Sequence, residues 1–324
     1  HTHEIFRLGI RKLLPEQVEL ISGPGCPVCV TQVGFIDEAI YLALERQVTI
    51  CTFGDLVRVP GTNMSLAGAR EKGAKIRIVY SPVDAKEYAK EHPKEQVTFL
   101  SVGFETTTPS ACLSVKKARE EGLTNYSILT ANKTMPQAYE ALKGSADIFL
   151  YPGHVNAITG TKLCEELAKE GVSGVVAGFT AKELLTALAV ALARFQEGRP
   201  FFVNCYPRVV TENGSPQAQK LVEEMMEPCD SEWRGLGVIK GSGMRLQEEW
   251  SAFDARKKYK IPLIQGKANP ACRCGDVLQG KCKPSDCKVF GKVCTPQHPI
   301  GACMVSGEGA CSAYYMYGEA EKMK

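Results

Sequence analysis

The amino-acid sequence predicts an α/β protein with two parallel-sheet α/β domains and a small Cys-rich domain at the C-terminus. Three observations lead to this prediction. Short β-rich runs alternate with helical stretches, many of the runs end in small or polar residues, and the chain becomes rich in Cys, Gly and Pro after about residue 255. Strand–helix–strand alternation at this spacing is typical of parallel sheets with right-handed crossovers.

The predicted strands are short runs rich in β-branched and aromatic residues. They cover residues 18–22, 48–53, 75–80, 97–102, 127–130, 148–151, 172–177 and 200–204. Amphipathic or apolar helical segments lie between several of them, at 35–46, 85–91, 161–169 and 181–196. We expect two smaller sheets rather than one large one, with a boundary in the polar, proline-containing segment 92–96.

The chain therefore divides into three predicted units. Residues 1–95 form an α/β domain, residues 96–255 form a second, and residues 256–324 form the Cys-rich domain. Seven of the fourteen cysteines fall between residues 272 and 311, where there is little periodic apolar pattern. Such a segment cannot bury much surface by itself, so a metal or cluster is expected to organise it.

Composition argues against several classes of partner. The formal net charge is only +3 and the basic residues are scattered, so no nucleic-acid footprint is expected. No apolar run reaches the roughly 20 residues of a membrane span. A secreted disulfide scaffold fits poorly, because the first 250 residues read as a large α/β protein with its own core. Together with the lack of a signal peptide, this leads us to expect a cytoplasmic protein.

The first chemical motif is a Cys-x-x-Cys pair. Residues 23–29 read Gly-Pro-Gly-Cys-Pro-Val-Cys, which places Cys26 and Cys29 after a predicted strand. At the start of a helix, free N–H groups and the helix dipole lower a thiol pKa. The pair can form a disulfide or bind one metal, and we expect both thiols on an exposed loop with Cα atoms within about 7 Å. A thioredoxin-like redox site is the competing interpretation.

The second motif is the cysteine-rich tail. Its spacing is irregular and begins with Cys-x-Cys, and it lacks the paired Cys-x-x-Cys knuckles that are typical of a structural zinc site. The spacing favours a [4Fe–4S] cluster, which needs four thiolates, although structural zinc stays an alternative. More than four cysteines are present, so some must have another role, such as a redox-active dithiol beside the cluster.

Three polar residues follow predicted strands: Asp55, Glu105 and His154. In open parallel sheets, ligands bind beyond the carboxyl ends of the strands. We therefore expect the loops that carry these side chains to gather on one side of each sheet. For His154, one of five histidines, a structural role is an equal alternative.

Several longer motifs occur in one order along the chain. Residues 23–29, 103–109, 152–155 and 175–179 read Gly-Pro-Gly-Cys-Pro-Val-Cys, Gly-Phe-Glu-Thr-Thr-Thr-Pro, Pro-Gly-His-Val and Val-Val-Ala-Gly-Phe. The tail adds Cys-Arg-Cys-Gly-Asp-Val-Leu from residue 272, Cys-Thr-Pro from 294, Cys-Met-Val-Ser from 303 and Glu-Gly-Ala-Cys from 308. Over nearly its whole length, the chain resembles the HypD family of hydrogenase maturation proteins.

The resemblance implies an iron–sulfur scaffold for metallocentre assembly rather than a conventional turnover enzyme. It implies that Cys26 and Cys29 hold the iron of the Fe(CN)₂CO unit of [NiFe] hydrogenases while cyanide and carbon monoxide are installed. It also implies two partners, HypC as co-scaffold and HypE as the source of cyanide. It implies as well two α/β domains with a cleft between them that holds the iron, plus a [4Fe–4S] cluster domain. Asp55, Glu105 and His154 would then line this cleft, where they would handle protons or bind incoming groups.

Within the tail, we expect Cys274, Cys287, Cys294 and Cys311 to bind the [4Fe–4S] cluster, although no sequence rule selects four of the six. Cys272 and Cys303 would then be the extra redox pair, which faces the cleft and passes electrons to Cys26 and Cys29. The family tail resembles ferredoxin:thioredoxin reductase in placing a dithiol beside a cluster. Cys282 lies outside the family pattern.

One departure from the family pattern concerns the start of the sequence. The family carries a further functional cysteine in a Cys-Gly-(Gly or Thr)-His motif, and this sequence opens at the histidine, His1. If that cysteine is absent, we expect defective maturation; if the native protein has it, the site holds three cysteines. Apart from the resemblance, the motifs fit equally well a cluster-dependent thiol–disulfide oxidoreductase acting on a protein partner. An interaction module with a structural zinc tail is a third option.

Overall fold

The computed structural model describes residues 1–318. The strands are β1 (Thr49–Thr52), β2 (Ile76–Ile78), β3 (Val97–Ser101), β4 (Tyr126–Thr130), β5 (Phe149–Pro152), β6 (Gly174–Ala177), β7 (Phe202–Asn204), β8 (Met226–Trp233) and β9 (Gly237–Leu246). The first helices are α1 (Thr2–Arg7), α2 (Pro27–Val30), α3 (Val33–Glu45), α4 (Leu66–Glu71), α5 (Pro82–Glu91), α6 (Thr108–Glu120), α7 (Met135–Ala141) and α8 (Gly153–Thr159).

The remaining α-helices are α9 (Lys162–Lys169), α10 (Ala181–Phe195), α11 (Pro216–Met225), α12 (Ala255–Lys258), α13 (Cys274–Leu278), α14 (Ala302–Val305) and α15 (Ala310–Tyr317). Short 3₁₀ helices cover Ile10–Leu13, Gly54–Arg58, Glu248–Phe253 and Pro284–Asp286. The last six residues of the predicted cluster domain, 319–324, lie outside the described residues.

Two parallel sheets confirm the predicted α/β class. The first has the strand order β2-β1-β3-β4 and the second has the order β5-β6-β7. Every pairing within both sheets is parallel. All positions of β3 and β4 are buried, as expected for strands covered by helices on both faces. Seven of the eight predicted strands are present, with ends that differ by one or two residues.

The predicted boundary at residue 95 falls inside the first sheet. β3 pairs with β1, with Thr49 opposite Val97 and Cys51 opposite Phe99. The segment 92–96 is therefore the connection between α5 and β3, and the chain changes sheet between β4 and β5. A polar stretch containing proline marks any exposed connection as readily as it marks a domain boundary, which is why composition alone suggested a division there.

One predicted strand is wrong, and one hairpin was not predicted. Residues 18–22 form no strand, and the antiparallel hairpin β8–β9 is absent from the prediction. β8 reads Met-Glu-Pro-Cys-Asp-Ser-Glu-Trp, which is poor in strand-forming residues, and only Met226 and Trp233 at its ends are fully buried. Packing of the hairpin against α7 and α11 stabilises this strand despite its low intrinsic propensity.

The C-terminal tail shares the core of the first sheet. One continuous apolar cluster contains Cys26, Val28 and Cys29 of the Cys-x-x-Cys segment, together with Cys274, Leu278, Ala302, Cys303 and Val305 of the tail. Residues near Asp254 also return to the first sheet, where Asp254 bridges Ile128 of β4. This shared core places the tail cysteines beside the Cys-x-x-Cys segment. Within residues 1–318, no helix is both long enough and apolar enough to cross a membrane.

Candidate functional site

The Cys-x-x-Cys pair opens α2. Cys26 is the N-cap residue, and its Sγ accepts a hydrogen bond from the backbone N–H of Cys29 at 3.2 Å. Pro27 takes the first helical position, where a missing N–H costs no helical hydrogen bond. Cys26 and Cys29 form a disulfide with Cα atoms 5.3 Å apart, which confirms the predicted proximity.

The expected exposure of this pair is wrong. Cys26 is 4% exposed and Cys29 is fully buried. The reason is tertiary: α14, from the tail, packs against α2 and covers it. A glycine- and proline-rich segment before a short helix is typical of an accessible loop. Its sequence carries no information about α14, which follows α2 by about 270 residues in the chain. Packing of α14 therefore shields these sulfurs from solvent.

Two of the tail thiols are in direct contact. The Sγ atoms of Cys274 and Cys303 lie 2.7 Å apart, and both side chains are buried. Hydrogen bonds from the thiols of Cys272 and Cys303 hold the pKa of Cys274 well below its usual range, because they stabilise its thiolate. The same hydrogen bonds raise the pKa of Cys272 and of Cys303. The extra pair expected from the sequence was Cys272 and Cys303, whereas the sulfur contact at 2.7 Å joins Cys274 and Cys303.

The other cysteines of the family pattern surround this pair. Cys287 and Cys294 are buried, and Cys272 and Cys311 are half-buried. Cys294 interacts electrostatically with Cys287 and Cys311, and Cys311 interacts in turn with Cys272. The six tail cysteines of the family pattern therefore lie in one region of the fold.

A single metal ion and a [4Fe–4S] cluster need different arrangements of ligands. Among residues 1–318, no three His, Cys, Asp or Glu side chains converge as they would around a single metal ion. A [4Fe–4S] cluster has a different requirement, since four thiolates each bind a different iron and surround the cluster. The six cysteines of the family pattern supply that kind of donor in sufficient number, and any four of them could hold such a cluster.

The sequence analysis missed Arg234, which links the two groups of cysteines. Arg234 lies at the tip of the β8–β9 hairpin. Its backbone N–H donates a hydrogen bond to Val30 O at 2.8 Å, and its Nε donates one to Thr31 O at 2.8 Å. The next residue, Gly235, packs so closely on Gly275 of α13 that neither position has room for a Cβ. The tip therefore contacts both α2 and α13. The sequence did contain a pattern that is typical of a turn: residues 233–237 read Trp-Arg-Gly-Leu-Gly, which places Arg234 next to two glycines.

The predicted polar residues of the first sheet follow β1 and β3. Asp55 is half-buried in the 3₁₀ helix Gly54–Arg58, which packs against α14. The carboxyl group of Glu105 is buried, and its Oε1 accepts a hydrogen bond from the backbone N–H of Met135 at 2.8 Å. Burial raises the pKa of Glu105 to about 7. The helix that carries Asp55 and the helix that carries Cys29 thus pack against the same segment, α14.

The predicted histidine belongs to the second sheet. His154 is exposed at the start of α8 and stacks on Phe179, with ring centroids 4.1 Å apart. Phe179 also stacks on His1 at 4.5 Å, and His1 Nε2 lies 3.2 Å from Ala177 O. The first residues of the chain therefore lie at the carboxyl edge of the second sheet. Glu105 and His154 follow strands of different sheets. The structure therefore brings the cysteines together in one region, but it does not do so for the polar residues.

A surface cavity of about 210 Å³ lies between the N-terminal segment and the tail. Arg11, Ile21, Cys282 and Tyr314 are among its lining residues. It is lined by none of the residues expected from the sequence to carry the chemistry. The cysteine region is instead closed by packing, in agreement with the burial of Cys29.

Comparison with known proteins gives the family. The family model HypD, described as "Hydrogenase formation hypA family", matches residues 1–318. The chain is 44% identical to the hydrogenase maturation factor HypD of Rhizobium leguminosarum bv. viciae, over 98% of the chain and 86% of the relative. It is 42% identical to the proteins of that name from Cupriavidus necator and Escherichia coli, over 98% and 99% of the chain and 87% and 88% of the relatives. With these matches and the motif order, the chain belongs to the HypD family of hydrogenase maturation factors.

Proposed function

We propose that this protein is the scaffold on which the Fe(CN)₂CO unit of [NiFe] hydrogenases is assembled, together with HypC and with cyanide received from HypE. One observation carries the proposal: α14, which contains Cys303, packs directly on α2, which follows Cys26 and contains Cys29. A buried dithiol therefore lies against a buried disulfide in a chain whose family acts in hydrogenase maturation. We place the protein in the cytoplasm, where a reducing environment keeps such thiols available.

Cys26 and Cys29 are the proposed iron ligands. Soft thiolates suit an iron that carries cyanide and carbonyl ligands. Two thiolates leave coordination positions open for the diatomic ligands and for a ligand from the partner. Because the pair forms a disulfide, it must first be reduced by two electrons to bind metal.

Cys274 and Cys303 are the dithiol best placed to supply those electrons. Their sulfurs lie 2.7 Å apart, so we assign the redox pair to them and the cluster to Cys272, Cys287, Cys294 and Cys311. This exchanges Cys272 and Cys274 relative to the sequence-based expectation. In the exchange, the Cys274–Cys303 dithiol becomes a disulfide while the Cys26–Cys29 disulfide becomes a dithiol, so that electrons and protons balance. The Cys274–Cys303 disulfide would be reduced again by two electrons and two protons, with the electrons from an external electron donor; a [4Fe–4S] cluster beside the pair would relay these electrons one at a time.

Asp55, Glu105 and His154 are the proposed polar groups of the assembly site. Asp55 lies on a helix that packs against α14. Glu105 has a pKa near neutrality, at about 7, which suits a group that accepts and releases protons. His154 lies at the edge of the second sheet beside Phe179, where an exposed imidazole can meet an incoming partner.

The second candidate is a thiol–disulfide oxidoreductase that acts on a protein partner. The same contact between α2 and α14 favours it, because an adjacent dithiol and disulfide suffice for exchange. The two functions differ in what remains bound to Cys26 and Cys29 after reduction.

Infrared spectroscopy of the protein purified with HypC separates the two functions. We expect absorption bands of iron-bound cyanide and carbon monoxide, and their loss when Cys26 or Cys29 is replaced by Ala. An active complex that never shows these bands would favour the oxidoreductase. An optical spectrum without broad thiolate-to-iron absorption would favour the structural zinc tail instead.

A further inference from the structure

Three buried polar atoms near the junction of the two sheets have no hydrogen-bond partner within the described chain. They are Glu105 Oε2, Tyr139 Oη and Tyr151 Oη, three of the six such side-chain atoms in residues 1–318. Tyr139 is 6% exposed and Tyr151 is fully buried. Buried polar groups are normally paired, because an unpaired group keeps its full desolvation cost. Half of the unpaired atoms in one place therefore point to a binding site.

The three side chains come from different elements of both sheets. Glu105 follows β3, Tyr139 lies on α7 and Tyr151 lies on β5. The rings of Tyr139 and Tyr151 meet edge to face with centroids 4.7 Å apart. Gly174 of β6 lies against the Tyr151 ring with no room for a Cβ, so the ring is held in place. The site is therefore formed by the fold and not by a flexible surface.

The charges around Glu105 limit what can bind. Two titratable groups interact electrostatically with it, Tyr139 from α7 and Cys164 from α9, and Tyr139 interacts in turn with Tyr151 from β5. The other groups that face it are the backbone N–H groups of Met135 and of Glu105 itself. None of these groups is a cation, so a buried anion would face a carboxyl and two phenols without compensation.

A small neutral molecule with both donors and acceptors fits the site. Each tyrosine hydroxyl can donate one hydrogen bond and accept others, and a carboxylic acid can do the same. A single water makes two to four hydrogen bonds and is stable where that many polar partners converge. The neighbouring Cys164 is already engaged, since its Sγ accepts a hydrogen bond from Asn156 Nδ2 at 3.2 Å. Three partners therefore remain for the water.

We propose that Glu105, Tyr139 and Tyr151 form a buried proton-holding site, in which one ordered water joins the three side chains and Glu105 carries the proton. The site itself follows from the fold of the free chain, while its use during iron assembly rests on the proposed function. Burial raises the pKa of Glu105 to about 7, so near neutral pH the group can both hold and release a proton. Tyr139 and Tyr151 are positioning residues here.

Infrared difference spectroscopy of the full chain, without added iron or partner, tests the proposal. Below pH 7 we expect a carboxylic-acid C=O band that disappears in Glu105→Gln and changes frequency in Tyr139→Phe and in Tyr151→Phe. The matched control is Tyr126→Phe, because Tyr126 is equally buried but its hydroxyl is paired with Ser114 Oγ at 2.9 Å and with Pro82 O at 3.2 Å. A Glu105 band that is absent, or that keeps its frequency in both site variants, would overturn the proposal.

Thermal unfolding gives an independent answer. If water joins the hydroxyls, Tyr139→Phe and Tyr151→Phe lose hydrogen bonds, so Tm should fall, as it should in Tyr126→Phe. If the hydroxyls are truly unpaired, removing them relieves a desolvation cost, so a rise of Tm in both variants would count against the water. Both measurements use the free chain, so a complex with HypC that lacks cyanide bands would refute the proposed function and leave this site standing.

Discussion

Cys303 contacts Cys274 through its sulfur at 2.7 Å, and it does so from the helix that covers the Cys26–Cys29 disulfide. The two cysteines are 29 residues apart in sequence, yet their sulfurs are in direct contact in the folded tail. Hydrogen bonding keeps the pKa of Cys274 low, which favours the thiolate that thiol–disulfide exchange requires. This contact supports the different roles that we propose for Cys272 and Cys274, which the Cys-x-Cys spacing treats alike.

Replacing cluster ligands should separate the two roles. We expect Cys272→Ser, Cys287→Ser, Cys294→Ser or Cys311→Ser to reduce iron from about four atoms per chain to near zero. Cys274→Ser and Cys303→Ser should retain the iron but stop electron delivery to Cys26 and Cys29. Iron analysis and the optical spectrum measure the first effect, and Cys282→Ser is the control that should keep the cluster. Loss of iron in Cys274→Ser together with its retention in Cys272→Ser would restore the assignment expected from the sequence.

Access to the buried disulfide should depend on the packing of α14. Met304 of α14 is 1% exposed, so Met304→Ala removes a buried side chain from this contact. Such a replacement in a core lowers the free energy of unfolding by about 2–5 kcal/mol. If part of that cost eases local opening, alkylation of reduced Cys26 and Cys29 should accelerate about tenfold for each 1.4 kcal/mol. Mass spectrometry of the labelled protein gives the rate.

The matched control for this opening lies in the second sheet. Leu184→Ala creates a comparable cavity, since Leu184 of α10 is fully buried in a separate core cluster. It should leave the alkylation rate of Cys26 and Cys29 unchanged under conditions where both variants stay folded. Equal acceleration in the two variants would mean that the cysteines are exposed by global unfolding and not by movement of α14.

The stability of the chain should depend on pH through Glu105. Burial raises the pKa of its carboxyl from 4.5 to about 7, so the folded state binds the proton more tightly than the unfolded chain. Its contribution is complete below about pH 4.5 and is lost as the pH rises through about 7. We expect a loss of about 3 kcal/mol in the free energy of unfolding across that window.

Denaturant unfolding of the wild type and of Glu105→Gln at several pH values measures this contribution. Glutamine cannot ionise, so the difference between the two proteins should grow as the pH rises from about 5 to about 8. A difference that stays constant over this range would show that Glu105 titrates alike in the folded and unfolded states.

Arg234 should stabilise the contact between the hairpin tip and α2. Arg234→Gln removes the hydrogen bond from Nε to Thr31 O, and we expect a loss of about 1–3 kcal/mol in the free energy of unfolding, because the bond involves a charged donor. Reduction of the Cys26–Cys29 disulfide by the tail should also slow. Arg245→Gln, on the same hairpin, is the control: its exposed ion pair with Glu227 should be worth less than about 1 kcal/mol. Equal losses of unfolding free energy in the two variants would show that Arg234 contributes no more than an exposed arginine of the same hairpin.

The sequence by itself determined the α/β class, seven of the strands and the proximity of Cys26 and Cys29. These features depend on local patterns: β-branched runs, helical periodicity and a three-residue separation at a helix start, which keeps two Cα atoms close in any fold. The motif order also gave the family, which the comparisons confirm. Each of these inferences needed only residues close together in the chain.

Only the tertiary structure decided what surrounds those residues. The burial of Cys29 depends on the packing of α14 against α2. The contact between Cys274 and Cys303 depends on how the chain folds between these two residues. The pairing of β1 with β3 depends on the register of the sheet. Tyr139 and Tyr151 gave no signal in the sequence, because a hydroxyl is recognised as unpaired only when its neighbours are known. Contacts between distant segments are set by the packing of the whole core, and no local pattern encodes them.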